Sequence, residues 1–282
     1  MKNSQQERLR RVAGRHNVLI KEVRRAFARA ELTADGECAV EGVRVVEEAI
    51  RSGLHLRAVL FSESGQVRAG RLLPQVGSQV ETLLLPDKLF TSMVPSETPQ
   101  GVAALVRMKS HTLQDLLSGE QAAALVVAVA GVQDPGNLGT ILRSAEAFGA
   151  TGVLLGENTV SAYNSKVVRA SAGSIFRIPL LRQELMSALR SLRERGLRLL
   201  ATSSHKGNPL KDAGLTSPLA LLVGSEGAGL AREIVAQVDE VVAIPHSPRV
   251  ESLNAGVAAS IALYEAARQR MFFTTATKGH GN

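Results

Sequence analysis

Residues 125–143 read LVVAVAGVQDPGNLGTILR, and this stretch decides the fold. Its first part, 125–132, is a continuous apolar run, which is typical of a parallel strand buried on both faces of a sheet. A tight Pro-Gly turn follows, and Asn137 has the side chain of a good helix N-cap. Apolar residues at helical spacing then predict a helix over 138–148. The apolar side of that helix comprises Leu138, Ile141, Leu142, Ala145 and Phe148.

The same alternation continues towards the end of the chain. Further strands are predicted at 152–155, 197–202, 219–223 and 241–244. Further helices are predicted at 183–195, 230–237 and 252–270. The last of these has Leu253, Val257, Ile261 and Tyr264 at helical spacing. Strands that alternate with helices indicate an α/β domain built on a parallel sheet.

A smaller α/β series precedes this one. Predicted helices cover 17–29, with Val18, Val23, Ala26 and Phe27 near one side, and 41–52, stopped by Gly53. Predicted strands cover 57–61, 80–85 and 101–108. The stretch 110–124 is more polar, and it opens with a helix-like pattern. We therefore predict an N-terminal α/β domain over 1–109, a linker over 110–122 and a C-terminal domain over 123–282.

Positive charge is concentrated at the start of the chain. The formal net charge is +7 and the isoelectric point is about 10.0. The early basic residues are Lys2, Arg8, Arg10, Arg11, Arg15, Lys21, Arg24, Arg25 and Arg29, against Glu7 and Glu22. Such a cluster is what a polyphosphate partner requires, because each neutralised phosphate releases counterions. A solvated helix face explains the charge equally well.

The composition excludes several classes of protein. A single cysteine, Cys38, excludes an intrachain disulfide and a cysteine-cluster metal site, so we expect no metal. The sequence has no apolar run long enough to cross a membrane and no secretory signal. The Arg-rich start leaves an organelle transit peptide as an alternative, but it runs straight into domain-like sequence. We expect a cytoplasmic protein.

Three loops that follow predicted strands are rich in glycine or polar residues. They are 134–139 (DPGNLG), 224–229 (GSEGAG) and 244–254 (IPHSPRVESLN). In the third, Ser252 is predicted to cap the last helix and Asn254 to lie in its first turn. The crevice at the carboxyl ends of parallel strands is where open α/β sheets bind ligands. His246 could be a base, but a lone histidine in a loop is more often exposed to solvent, so we give it no part in the mechanism.

Together these loops resemble the three signature motifs of the SpoU, or TrmH-like, family of RNA 2′-O-ribose methyltransferases. The first motif is 137–143 (NLGTILR) and the second is 222–230 (LVGSEGAGL). The third is Ile244-Pro245 followed by 252–254 (SLN). The N-terminal domain resembles, more weakly, the ribosomal-protein-like substrate-binding domain of such enzymes, through 41–44 (EGVR) and 100–101 (QG).

The resemblance implies a fold, a cofactor and an assembly. The fold is the α/β SPOUT domain, a parallel sheet whose C-terminal segment forms a deep trefoil knot, and members work as homodimers. The cofactor is S-adenosylmethionine. Its binding residues are then Thr202, Gly224, Ser225, Glu226, Ile244, Pro245, Ser252 and Leu253. The catalytic residues are then Asn137, Arg143, Glu226, Ser252 and Asn254.

The expected reaction places a ribose oxygen in line with an activated methyl group. We expect Asn137 and Asn254 to orient ribose and cofactor, Glu226 and Ser252 to fix the loops, and Arg143 to bind the neighbouring phosphate. A guanidinium stays protonated, so it suits phosphate binding better than the role of general base. RNA contacts are expected from Arg15, Arg24, Arg25, Arg44 and Arg143.

The 2′-hydroxyl distinguishes RNA from DNA, so structured RNA is the expected substrate. Ribosomal RNA is the first candidate and transfer RNA the alternative. A rival from another class is an RNA-binding or ribosome-assembly factor that keeps the fold without activity. A nucleotide-dependent oxidoreductase is disfavoured, since the sequence lacks the G-x-G-x-x-G fingerprint.

Overall fold

The computed structural model describes residues 8–14, 16–118, 123–204 and 206–271. The chain forms two compact units. Unit 1 is Met1–Lys109 with Ser161–Phe176, and unit 2 is Ser110–Val160 with Arg177–Asn282. The domain prediction assigned 161–176 to the C-terminal domain, whereas the structure packs this segment within unit 1. Polar contacts hold it there: the guanidinium of Arg169 donates to Ser96 Oγ at 2.9 Å, beside the buried carboxylate of Glu41.

Unit 1 is built on a five-stranded mixed sheet. Its strands are β1 (Arg10–Arg11), β2 (Glu37–Glu41), β3 (Leu56–Ser62), β4 (Glu81–Leu85) and β5 (Val102–Arg107), in the order β1-β4-β3-β5-β2. Its helices are α1 (Val18–Arg29), α2 (Val43–Arg51), α3 (Gln66–Leu72), α4 (Asp87–Thr91) and, from the inserted segment, α6 (Ser165–Ala170). The core packs apolar residues of α1 against the sheet, although Val18 points outwards and is 70% exposed.

Strand β2 was not predicted from the sequence, and the helix after it was predicted to begin too early, at residue 41. The predicted helix over 41–52 is instead α2, and Glu41 is the last residue of β2. Gly42 stands between them with φ +104°, a conformation that favours glycine. The side-chain oxygen of Gln100 accepts a hydrogen bond from the Val43 N–H, which satisfies one of the free donors of the helix. The strand was not recognised in the sequence because its two end residues, Glu37 and Glu41, are charged although both are buried.

Unit 2 is built on a seven-stranded, wholly parallel sheet, as the sequence predicts. Its strands are β6 (Leu125–Val129), β7 (Gly152–Leu155), β8 (Leu180–Arg182), β9 (Arg198–Ser203), β10 (Asn208–Pro209), β11 (Leu219–Val223) and β12 (Glu240–Ala243). Their order is β10-β12-β9-β11-β6-β7-β8. Its helices are α5 (Pro135–Ala147), α7 (Leu185–Glu194), α8 (Arg232–Val235) and α9 (Ala255–Gln269). The central strands β6 and β11 are buried along their whole length.

Two predicted helix caps were wrong. Asp134, not Asn137, caps α5, because its Oδ1 accepts a hydrogen bond from the Asn137 N–H at 2.7 Å. Asn254, not Ser252, caps α9, and its Oδ1 accepts from the Val257 N–H at 3.1 Å. Both helices therefore begin three residues away from the predicted start, α5 earlier and α9 later. The predicted helix-like pattern after residue 110 yields only a short 3-10 turn, Asp115–Leu117, among the residues described there.

Helix α9 packs on α5 through small residues. A Cβ on Gly256 would lie 3.1 Å from Thr140 Cβ, and the hydroxyls of Ser144 and Ser260 are 2.6 Å apart. Five alanines of α9 are buried as well, namely Ala255, Ala259, Ala262, Ala266 and Ala267. The larger apolar residues noted in the sequence, Val257, Ile261 and Tyr264, are instead exposed by 46%, 37% and 49%.

Neither a membrane-spanning helix nor a metal cluster is found in the described parts of the chain. No helix there is both long and apolar enough to cross a bilayer. No three histidine, cysteine, aspartate or glutamate side chains there form a group that could hold a metal ion.

Candidate functional site

The site lies at the carboxyl edge of the unit 2 sheet. Strands β9, β11 and β6 are neighbours, and all run in the same direction. The loops that follow them therefore emerge at one edge, where open α/β sheets form their ligand crevice. The loop after β12 emerges beside them because β12 pairs with β9.

Asn137 and Glu226 join the first and second loops. The amide Nδ2 of Asn137 donates to the Glu226 carboxylate at 2.6 Å. Asn137 lies in the first turn of α5 and is only 8% exposed, whereas Glu226 is exposed. A charge-assisted hydrogen bond of this kind fixes the buried amide in one orientation.

The second loop, 224–229, folds back on itself. Ser225 and Gly229 exchange two backbone hydrogen bonds, of 3.1 and 3.0 Å. Gly224 lies so close to this closure that a Cβ there would come within 2.4 Å of the Gly229 carbonyl carbon. No side chain fits at that distance, so Gly224 is required for the closed loop.

The third loop leads into α9. Asn254 caps that helix, and Gly256, two residues further on, packs against Thr140 of α5. The His246 ring is fixed by a hydrogen bond between Nδ1 and the Ile244 carbonyl, at 2.8 Å. The packing of α9 on α5 brings the third loop to the first, so all three loops meet.

The second and third loops, together with residues at the end of β9 and just after it, line a cavity of about 720 Å³, which we call the main cavity. The first loop contributes no lining residue and is connected to the cavity through the hydrogen bond between Asn137 and Glu226. Among its lining residues are seven of the predicted cofactor ligands: Thr202, Gly224, Ser225, Glu226, Ile244, Ser252 and Leu253. The eighth, Pro245, lines a neighbouring cavity instead. The sequence did not single out Ser203, Ser204, Lys206 or Arg232, which also line the main cavity. The polar run at the end of β9 and just after it could have indicated the first three.

Arg143 stands apart from the other predicted catalytic residues. Glu226 and Ser252 line the main cavity. Asn137 and Asn254 do not line it, but Asn137 touches Glu226 and Asn254 caps α9 between the lining residues Leu253 and Ala255. Arg143 is exposed in the third turn of α5, further along the helix than expected, because α5 begins at Pro135. It does not line the main cavity and makes no hydrogen bond or ion pair with any residue that the structure describes. Its guanidinium is thus available to an external phosphate.

The predicted RNA contacts of unit 1 lie on its surface. Arg24 and Arg25 are exposed on α1, and Arg44 is exposed in the first turn of α2. Lys21 and Arg29 are exposed on the same helix as the first pair. Arg15 lies outside the described residues.

Family comparisons match both parts of the chain. The model of the SpoU rRNA Methylase family matches residues 124–264. The model of the MRM3-like substrate binding domain matches residues 17–104.

Individual relatives match over most of the chain. The chain is 30% identical to the 23S rRNA (guanosine(2553)-2'-O)-methyltransferase RlmP of Bacillus subtilis, over 91% of this chain and 98% of the relative. It is 34% identical to the 23S rRNA (uridine(2479)-2'-O)-methyltransferase of Streptomyces viridochromogenes, over 88% of each.

Two solved structures of similar fold contain AdoMet. The SpoU methyltransferase AviRb of Streptomyces viridochromogenes, in complex with AdoMet, has a TM-score of 0.76 and 31% identity, over 91% of this chain and 99% of that one. The AdoMet-bound rRNA methyltransferase of Sinorhizobium meliloti has a TM-score of 0.77 and 27% identity, over 93% and 98%.

Proposed function

This chain belongs to the SpoU rRNA methylase family, and we propose that it transfers the methyl group of S-adenosylmethionine to a ribose 2′-hydroxyl of ribosomal RNA. The observation that carries the proposal is the main cavity, lined by the segments that follow β9, β11 and β12 at one sheet edge. Two curated relatives with named substrates act on 23S rRNA, which favours ribosomal over transfer RNA.

The main cavity fits the cofactor in size and chemistry. Its volume of about 720 Å³ lies in the range of small-molecule sites. Val223, Ile244 and Leu253 offer an apolar slot for an adenine ring, while hydroxyls and backbone groups of the loops offer hydrogen bonds. When bound, S-adenosylmethionine supplies an activated methyl group on a sulfonium.

The side chains of the chain then position the reacting groups. Glu226 holds the amide of Asn137, whose carbonyl oxygen remains available to a ribose hydroxyl. Asn254 uses its Oδ1 to cap α9, and its amide N–H groups are available to a ligand. Ser252 lines the main cavity and can donate to the cofactor. Positioning of this kind can lower the barrier by several kcal/mol, up to about 7–11 kcal/mol in well-oriented reactions.

Arg143 is assigned to phosphate binding. Its planar guanidinium suits phosphate oxygens, and it is exposed on the helix that carries Asn137. A permanently protonated group does not accept the hydroxyl proton, so the general base is another group. Arg24, Arg25 and Arg44 of unit 1 add phosphate contacts, which give RNA affinity that falls as salt rises.

We also propose a homodimer, a trefoil knot and action in the cytoplasm. The exposed apolar face of α9, formed by Val257, Ile261 and Tyr264, supports association through unit 2. The family resemblance supports the knot, in which the chain would thread through a loop of unit 2. A ribosomal RNA substrate supports the cytoplasm, where ribosomes are assembled in bacteria.

Incubation with labelled S-adenosylmethionine tests the reaction. The substrate is ribosomal RNA from cells that lack the gene, and the product is analysed by alkaline hydrolysis. We expect label at one nucleotide whose 3′ bond resists alkali, since a methylated 2′-oxygen cannot attack the neighbouring phosphate. Label on a base, or none in the presence of bound cofactor, would overturn the proposal and leave the non-catalytic RNA-binding reading.

A further inference from the structure

A second cavity, of about 630 Å³, adjoins the main cavity in unit 2. The two cavities share four lining residues, namely Ser204, Ile244, His246 and Glu251. Apart from Ser204, the second cavity is lined by residues from 243–251, the end of β12 and the first part of the third loop. The cofactor roles described above leave this space without an assignment.

We propose that the second cavity binds the target nucleotide of the RNA. The inference rests on the proposed methyl transfer, since the acceptor ribose must lie beside the methyl donor. A ribose placed against the shared wall would meet that condition, because the same residues bound the main cavity. The volume is also sufficient, since small-molecule sites occupy about 300–1,000 Å³.

The lining offers surfaces on which an unstacked base can lie. RNA-binding proteins commonly receive such bases on aromatic rings and other flat faces. His246 supplies a planar, half-buried ring whose orientation is set by the Ile244 carbonyl. Because a carbonyl oxygen can only accept, Nδ1 carries the proton in that contact. Pro245 and Pro248 add two rigid rings. Pro245, which the resemblance assigns to the cofactor, is thereby assigned to the nucleotide.

The charged side chains of the lining suit a nucleotide as well. Arg249 is exposed, forms no ion pair with a described residue, and presents a guanidinium that matches phosphate oxygens. Glu251 lies on the shared wall and can accept hydrogen bonds from ribose hydroxyls or base amino groups. The lining thus offers a cation for phosphate oxygens and a carboxylate for hydrogen-bond donors of the nucleotide, which suits nucleotide binding.

Kinetics of matched variants test the assignment. Arg249→Gln and His246→Ala are compared with the parent and with Arg195→Gln, an exposed arginine outside both cavities. For Arg249→Gln we expect the KM for RNA to rise about tenfold, the equivalent of one lost charged contact. For His246→Ala we expect kcat/KM for RNA to fall about tenfold. Calorimetry of Arg249→Gln, whose side chain lines only the second cavity, should give the parent affinity for S-adenosylmethionine. Arg195→Gln should match the parent.

Two results would overturn the assignment. Weakened binding of S-adenosylmethionine in Arg249→Gln would make the second cavity part of the cofactor site. Parent-like RNA kinetics in both variants would show that it does not contact the RNA.

Crosslinking separates failure of this inference from failure of the proposed function, since it needs no turnover. The parent, with S-adenosylhomocysteine, is irradiated on 23S rRNA transcribed with 4-thiouridine, and the crosslinked peptides are sequenced. Crosslinks within 243–251 are expected even if no methyl group is transferred. Crosslinks confined to unit 1 would refute the nucleotide pocket, whether or not methylation occurs.

Discussion

Asn137 and Glu226, 89 positions apart in the sequence, are joined by a hydrogen bond of 2.6 Å from the amide Nδ2 to a carboxylate oxygen. The contact ties the first turn of α5 to the loop after β11. It therefore couples a residue proposed to orient the ribose to a loop proposed to hold the cofactor.

The two residues should act as one unit. Asn137→Ala and Glu226→Ala are each expected to lower kcat, and the double variant should lose little more than the worse single variant. The coupling free energy should be about 1.5–3 kcal/mol, as for hydrogen bonds to charged groups. Measured kcat/KM values for the four proteins give this coupling directly. Strictly additive losses would mean that the contact does not matter for catalysis.

Arg143→Ala should abolish methylation while cofactor affinity survives. The side chain is exposed and does not line the main cavity, so its loss removes a phosphate contact and leaves the cofactor pocket intact. Calorimetry with S-adenosylmethionine and methyl incorporation into RNA distinguish the two properties. Arg195→Ala on the surface of unit 2 is the control. An active Arg143→Ala enzyme would remove this arginine from the mechanism.

Gly224→Ala should weaken cofactor binding at least about tenfold, or 1.4 kcal/mol. The added methyl would lie 2.4 Å from the Gly229 carbonyl carbon and 2.6 Å from the Leu230 nitrogen, both backbone atoms, so the loop must open. Gly214→Ala is the control, because its nearest neighbour would be a flexible arginine tip at 3.7 Å. Circular dichroism checks that both variants fold. Unchanged affinity in Gly224→Ala would show that the closed loop is not needed.

Arg270→Met should lower the free energy of unfolding by about 2–4 kcal/mol, since charged hydrogen bonds to buried carbonyls are lost. The guanidinium donates to the carbonyls of Leu215, Ala123, Ala124 and Ser217, at 2.6–3.3 Å, and burial lowers its pKa. It thereby fastens the end of α9 to the chain before β6 and β11. Urea unfolding provides the measurement. Arg268→Met, which loses only an exposed pair with Glu265, should cost less than about 1 kcal/mol.

Cys38 should make the protein less stable at alkaline pH. Burial raises the pKa of this thiol from 9.0 to about 12. Below pH 9 the thiol is neutral in both states, so its contribution is complete. Between the two pKa values only the unfolded thiol ionises, so stability falls with a slope of about 1.4 kcal/mol per pH unit.

The difference between the parent and Cys38→Ala isolates this contribution from other groups that titrate in the same range. Urea unfolding at pH 8, 9 and 10 should give curves for the two proteins that converge as pH rises. A constant difference would contradict the raised pKa.

The sequence by itself determined the parallel sheet of unit 2 and the family. Strands such as β6 and β11 are buried on both faces, and this requires the continuous apolar runs that the sequence displays. Loops that follow parallel strands must emerge at one edge, so their convergence was also predictable. These features can be predicted from local sequence patterns, because buried strands and amphipathic helices each place apolar residues at a characteristic spacing along the chain.

Only the tertiary structure decided which side chains cap the helices, pack against each other or form hydrogen bonds. Asp134 and Asn254 cap the two site helices in place of the predicted residues, because a cap is set by where the backbone enters the helix. Helix α9 buries its small residues against α5 and exposes Val257, since close helix packing favours small side chains. The contact between Asn137 and Glu226 also depends on distant parts of the chain meeting. Which side chains are buried, and which of them form contacts, depends on neighbours that are distant in the sequence. No local pattern encodes those neighbours.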